Sequence, residues 1–478
     1  MRRNLWCALL IAGCAVGPNY RRPAIDAPAA WKEPPASAAS APQTPAEAGW
    51  QEARPRDAVE RGEWWAVFHD PALDVLEVQA VHADLSLKAA LARLEHARAV
   101  ARLPQADLLP TLELNPSYSH FQRTLSSFGG AGTLTNDTFR VPFDLSYEVD
   151  LWGKVRRSFE AAHAEAQASQ AAYETILLSV TADTARAYFL LRALDAELDT
   201  LRHTLELRRE AQRLIDQRAD AGLASELDRA RVMAEVKTAE AESYDVERRR
   251  AELEHALAVL CGRAPAEFTL SAHPLAEEPP AVPAGIPSTV LERRPDIAEA
   301  ERLMASANAR IGVAQAANFP VLSLTGSAGW EAAKADQVFR ADNVVWSLGP
   351  SLSVPLFAGG RNRANLRSAR ADHAQASAEY RRRVLTAFQE VEDALAAIRL
   401  LASQQQAQTE VVAASQRAQQ LSFDRYAQGL SSFLEAVDAE RQRLDATRRA
   451  AQIRGQRLTA AVMLIKALGG AWDVPGAP

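Results

Sequence analysis

Two periodicities divide this chain. No proline occurs between Pro142 and Pro265, or between Pro355 and Pro475, and within each interval apolar residues return at alternating steps of three and four. Ala187, Leu191, Leu194, Leu198, Leu201 and Leu205 do so in the first; Val384, Phe388, Val391, Leu395 and Ile398 do so in the second. A seam at heptad spacing predicts long helices lying side by side. Ahead of each run the period drops to two. Phe139, Val141, Phe143, Leu145, Tyr147, Val149 and Leu151 alternate with Arg140, Pro142, Asp144, Ser146, Glu148 and Asp150. In the second half, Trp346, Leu348, Pro350, Leu352, Val354 and Leu356 alternate with Ser347, Gly349, Ser351, Ser353 and Pro355. These are strands with one apolar and one polar face, and Thr111 to Ser119 and Val321 to Trp330 are their candidate hairpin partners.

The order strand, long helix, glycine, second helix occurs twice. Ala221 to Leu227 answers Gln428 to Leu434, and Leu257 to Gly262 answers Leu464 to Gly469, both 207 positions apart. Gly222 and Gly429 therefore read as the turns of two helical hairpins in an internally duplicated chain. From Lys154 to Ala221 the outgoing helix is on the order of 100 Å long at about 1.5 Å per residue. The return helix, Leu223 to about Cys261, is shorter. A further heptad seam, from Leu73 to Ala97, predicts a helix from Pro71 to Leu103 that ends before Pro104 and completes the shorter column; Asp70 caps it.

Segments of about ten alternating residues fit membrane strands better than membrane helices, because no apolar run of 18 or more is present after the N-terminus. Four strands cannot close a barrel, and an open edge in lipid leaves backbone groups unpaired, so several chains must share one wall. The same alternation also suits a soluble sandwich.

The N-terminus supplies an address. Arg2 and Arg3 precede a short apolar stretch, and Ile11-Ala12-Gly13 leads to Cys14, the pattern of an export signal over residues 1–13. It resembles a bacterial lipobox, which implies lipidation of Cys14, and Ala15 after it implies the outer membrane; a plain secretory signal is the alternative. Residues 14–62 are rich in Pro, Ala, Ser and Glu and read as a tether that folds only against something else. The first repeat then covers 63–285, the second 286–470, and 471–478 form a tail. Pro295 with Asp296 and Glu299 reads as a stop followed by a capping box.

Composition narrows the chemistry. With 478 residues but only 14 Phe, 8 Tyr and 4 Met, the chain suits packed helical columns more than a thick core. A net charge of −6 leaves no basic face for nucleic acid. The nine His are dispersed, Cys7, Cys14 and Cys261 offer no disulfide in the mature protein, and no spacing suits a metal or cofactor. Phosphate loops and nucleophile motifs are lacking, so no catalytic residue is assigned and the chain is not read as an enzyme.

The order of Glu63-Trp64-Trp65 with Phe68 and Asp70-Pro71-Ala72-Leu73, Arg293-Arg294-Pro295-Asp296-Ile297 with Ala298-Glu299, Ile311-Gly312, Asn318-Phe319-Pro320, Leu356-Phe357-Ala358-Gly359-Gly360 and the turn at Gly429 resembles the TolC-like outer membrane factors. The resemblance covers essentially the whole mature chain and is to the lipoprotein (NodT-type) branch of tripartite efflux systems. It implies a mostly α fold with a transmembrane β part: a homotrimeric α/β-barrel channel in which each chain gives four strands to a shared twelve-stranded barrel and helices to a periplasmic tunnel. It also implies that the helical tips close the tunnel and meet a periplasmic adaptor protein, with an inner-membrane pump behind it. Mapped here, Leu434 and Asp438 line the constriction, Arg441 and Arg231 hold the helices by ion pairs, and Gly222, Leu223, Gly429, Leu430 and Ser431 face the adaptor. For Leu434, Asp438 and Arg441, four and three residues apart, ordinary solvated helix positions are the plain alternative. The outer-membrane channel of a type I protein secretion system, a periplasmic adaptor and a coiled-coil filament are the competing classes. The filament leaves the alternating strands unexplained, and an adaptor carries one hairpin rather than two.

Overall fold

In the computed structural model, residues 15–23, 28, 30–33, 62–124, 132–273, 275, 278–280, 282 and 287–470 are described. The signal peptide, Cys14, most of the tether and the tail 471–478 lie outside them. Eight helices are present among the described residues: α1 (Pro71–Ala83), α2 (Leu85–Ala106), α3 (Lys154–Asp220), α4 (Glu226–Leu260), α5 (Pro287–Arg293), α6 (Pro295–Ala316), α7 (Arg361–Ala427) and α8 (Phe433–Ala467). The strands are β1 (Thr111–Leu114), β2 (Ser117–Thr124), β3 (Thr133–Val149), β4 (Val321–Ala332) and β5 (Val344–Ser353).

The duplication holds at the level of element boundaries. Helices α3 and α7 have 67 residues each, α4 and α8 have 35 each, and all four boundaries recur 207 positions on. Helices α2 and α6 have 22 residues each but recur at 210, so three residues separate the repeats within the strand region.

Both hairpin turns close in the same way. Gly222 and Gly429 each adopt φ 73°. Leu223 N–H reaches Arg218 C=O at 2.7 Å while Gly222 N–H reaches Ala219 C=O at 2.9 Å, and Leu430 and Gly429 repeat this on Arg425 and Tyr426 at 2.9 and 3.0 Å. This paired bonding satisfies the last carbonyls of the helix, and its left-handed residue favours glycine.

Two boundaries differ from the sequence reading. The single helix expected over Pro71 to Leu103 is two helices broken at Asp84, whose carboxylate accepts Leu87 N–H at 2.9 Å and restarts the helix. Heptad spacing carries through the break, so periodicity alone does not reveal it. Pro104 does not end α2, which runs on to Ala106; a proline in the last turn forfeits one backbone bond without ending it. The break recurs between α5 and α6. There the two oxygens of Asp296 grip Arg294 at 3.0 and 2.8 Å, and Oδ1 also accepts the Ile297 N–H at 3.0 Å in the first turn. Arg294, buried, also donates to Ala467 C=O at 3.0 Å and pairs with Glu390 at 2.6 Å. Each return helix ends on such a break, Gly262 against Ala83 and Gly469 against Arg293.

The chain forms two compact units. One comprises Met1–Ala24, Ala92–Gln170 and Glu299–Arg381; the other comprises Ile25–Leu91, Ala171–Ala298 and Arg382–Pro478. The first contains the sheet, in the order β1-β3-β4-β5 with β2 also on β3, all antiparallel. β1 and β2 are one strand interrupted: Leu114 pairs with Phe143 and Ser117 with Arg140, a continuous register. The gap falls where Asn115 faces Pro142, which has no N–H to return, and where Pro116 follows. Four strands by topology thus stand as expected. Part of the N-terminal segment packs here, with Val16 N–H on Trp152 C=O at 2.9 Å, Tyr20 on Glu301 at 3.0 Å and Arg157 on Asn19 at 2.6 Å.

The second unit carries the larger core. Trp64, Trp65, Phe68, Leu73 and Leu76 pack on Phe189 and Leu191 of α3, Leu257 of α4, and Leu458 and Ile465 of α8. Tyr188 Oη donates to Asp70 at 2.5 Å, and Trp64 Nε1 donates to Thr181 at 3.1 Å. At Gly455, α8 approaches α3 so closely that a Cβ would stand 2.5 Å from Ala193 Cβ. Gly455→Val is therefore expected to cost about 1–3 kcal/mol by overpacking, seen as a lower denaturant midpoint than Gly455→Ala.

Candidate functional site

The sheet separates two chemistries. On one face lie Leu112 and Leu114, then Phe139 to Val149 in alternation, Leu322 and Leu324, and Trp346, Leu348 and Leu352, aligned strand to strand by the register. Leu348 and Trp346 are 73% and 78% exposed, which in water is a large penalty for apolar side chains. The band has limits: past Phe139 this face turns to Asp137 and, across from it, His120. Phe139 to Val149 is about the length of a membrane strand. Aromatic pairs mark the ends, Tyr118 with Phe139 at 4.7 Å and Trp152 with Phe319 at 4.8 Å, as interfacial girdles do. The opposite face carries Glu113, Arg140, Asp144, Glu148 and Glu331 with serines between, and Arg140 pairs with Glu331 at 3.0 Å. No helix among the described residues is long and apolar enough to cross a membrane. β5 and the interrupted β1–β2 each leave one edge unpaired among the described residues.

At the hairpin tips, Leu223 and Leu430 are 79% and 65% exposed, Gly222 and Gly429 are open, and Ser431 is half-buried. The tips are held differently. The first is ionic: Arg229 pairs with Asp216 at 3.2 Å and Glu226 at 2.9 Å and also with Asp220, and Ser225 forms a reciprocal capping box with Asp228. In the second, Tyr426 packs on Phe433 at 5.4 Å, and Ser432 makes no side-chain cap.

Leu434, Asp438 and Arg441 share an exposed stripe of α8. Arg441 grips Glu235 of α4 through two nitrogens, with Nε at 3.0 Å, and stands 3.7 Å from Asp438. This bond to Glu235 is the main reason its guanidinium pKa is raised. Arg231 is half-buried and has no ion-pair partner among the described residues. Sequence reading missed what lies behind Arg441. Arg208 of α3, buried, reaches Glu235 at 3.3 Å and Glu440 at 3.0 Å. One heptad on, Arg448 repeats the pattern, 2.7 Å from Glu242 and from the fully buried Glu197. Arg441 and Arg448, like Glu235 and Glu242, are seven apart, a signal present in the sequence but inconspicuous among so many helical charges.

A family model for outer membrane efflux proteins matches residues 76–263 and 286–470. The chain belongs to this outer membrane efflux protein family. It is 34% identical over 475 residues to the toluene efflux pump outer membrane protein TtgC of Pseudomonas putida, covering 97% of this chain and 94% of that one. Outer membrane protein OprJ of Pseudomonas aeruginosa is also 34% identical, covering 98% and 95%. The outer-membrane channel OprN superposes with a TM-score of 0.85 at 31% identity, over 96% of this chain and 100% of that one. The Neisseria gonorrhoeae MtrE channel in its open state gives 0.80 at 32%, over 95% and 98%. Like other outer membrane efflux proteins, the chain is an efflux-pump channel subunit of the trimeric α/β-barrel fold, with strands in the outer membrane and helices in the periplasm. The apolar face of its sheet is the lipid face, and the polar face lines the lumen.

Proposed function

We propose that this efflux protein is a passive conduit, engaged by a periplasmic adaptor and an inner-membrane pump that selects the cargo. Relatives are described as toluene, solvent and antibiotic efflux components, and small molecules of that kind are the cargo proposed here. The observation that carries the reading is the sheet: a lipid-compatible face, a polar lumen face and two free edges in each copy. Cys14 bears the lipid anchor, and residues 63–285 and 286–470 are the repeats that supply the two hairpins. Leu434 and Asp438 line the periplasmic constriction, Arg441 holds α8 to α4 through Glu235, and Arg231, the position equivalent to Asp438 in the first repeat, belongs to the same gate. Gly222, Leu223, Gly429, Leu430 and Ser431 form the adaptor surface, where exposed leucines at both tips offer apolar anchors.

Single-channel recording in planar bilayers tests the gate. Asp438→Ala with Arg441→Ala is expected to raise resting conductance several-fold over the wild type, and an unchanged closed level would remove these residues from the gate. Expression with a cognate pump and adaptor in cells lacking their own outer-membrane factor tests the conduit: resistance to antibiotics should return with the wild type. Leu223→Asp with Leu430→Asp should abolish it without altering conductance.

A further inference from the structure

We infer the residue register by which β5 of one copy joins β1–β2 of the next, from the duplication inside a single chain. This rests on the shared barrel and adds the one seam that a single chain does not display. Two strand pairings within the chain are related by the repeat. Moving β1–β2 forward by 210 positions and β3 by 207 turns Leu112↔Leu145 into Leu322↔Leu352, and Tyr118↔Phe139 into Ala328↔Trp346. Both are pairings observed between β4 and β5. The repeat therefore preserves register as well as topology.

The remaining pairing, β3 with β4, has no counterpart within the chain, because its equivalents are the two free edges. The same shifts convert Asp144↔Ser327 into Ser351↔Ser117, Ser146↔Thr325 into Ser353↔Asn115, and Pro142↔Gly329 into Gly349↔Ser119. The second member of each pair belongs to the neighbouring copy.

Three observations agree with this seam. The edge residues are exposed along β5 and β1, as unpaired strands are. The side-chain faces match: Ser351 and Ser117 both lie on the lumen face with Asp144 and Ser327, whereas a shift of one residue would set the lumen face against lipid. The backbone groups are also placed for it. Asn115 N–H points to Pro142 C=O, so Ser117, two residues on, turns its backbone groups toward β3. By the same correspondence Ser351 turns toward β4. Across the seam, Ser117 and Ser351 form the closer, non-hydrogen-bonded kind of pair, with Cα atoms about 4.5 Å apart.

That distance allows a disulfide, whereas diagonal neighbours at about 7–8 Å exceed its reach. Ser117→Cys with Ser351→Cys, purified in detergent and oxidised with copper phenanthroline, is expected to run on non-reducing gels as linked dimer and trimer, reverting with reductant. Each single variant, and the displaced pair Ser119→Cys with Ser351→Cys, should stay largely unlinked. Mass measurement of the same detergent particle separates the two levels of the inference. A trimer whose displaced pair links more readily, or whose Ser117/Ser351 pair fails to link, overturns the register. A monomeric particle overturns the shared barrel and the register with it.

Discussion

Arg208→Ala is expected to destabilise the helical part by about 3–5 kcal/mol, the usual cost of removing one partner from a buried ion cluster. Glu235 and Glu440 are both nearly inaccessible behind it, and Arg208 Nη1 also donates to Glu235 C=O at 2.8 Å. Without the guanidinium, Glu440 loses its ion-pair partner among the described residues, and Glu235 keeps there only the half-exposed Arg441. The desolvation penalty of a buried carboxylate then stands uncompensated. Adding Glu440→Gln should restore part of the loss, because the second change removes the stranded charge. Denaturant midpoints followed by helical circular dichroism provide the measurement; an Arg208→Ala protein as stable as the wild type would show that water reaches the cluster.

The second large effect concerns Glu77 of α1. Its side chain is fully buried and, among the described residues, neither carboxylate oxygen has a partner at full hydrogen-bond geometry. Burial is the main reason its pKa is pushed up to about 9, with a weaker contribution from Asp74, while the backbone at Ala185 acts in the opposite sense. The Cys261 thiol of α4 faces the same region and is itself pushed up to about 11, by burial first and by Glu77 second. In the unfolded chain a glutamate titrates near 4.3. Between these values the folded state holds a proton that the unfolded state has released, so stability declines as pH rises through this window and levels off above about 9. Each unit of difference corresponds to about 1.4 kcal/mol. Glu77→Gln removes the titration. Its stability relative to the wild type should therefore climb steadily from pH 5 to pH 9, and equal pH slopes for the two proteins would show that Glu77 is ionised in the fold.

Much of this was legible in the chain. The proline-free intervals, the seam through Leu191 and Leu198, and the glycines 207 apart specified two long hairpins, and the structure has them to within a few residues. Alternation around Phe139 and Trp346 specified the strands and their faces. Legibility failed where a local side chain overrode a continuous pattern. Asp84 restarts a helix that heptad spacing carries straight through, and Asp296 binds Arg294 as well as the Ile297 N–H of the helix end. It failed again at the charge cluster that joins α3, α4 and α8. Arg441 stood out by its spacing from Asp438, but Arg208, which is buried beneath the pair, looks in sequence like any other arginine on a charged helix.

The sequence by itself determined the elements, their duplication and the polarity of each strand face, because those follow from periodicity and from backbone limits that act within a few residues. Only the tertiary structure decided which charges are buried together, where Glu77 lies buried, and the register in which the strands meet. These depend on contacts between residues far apart in the chain. Burial turns an ordinary surface charge into a costly and consequential one, and no local pattern records it.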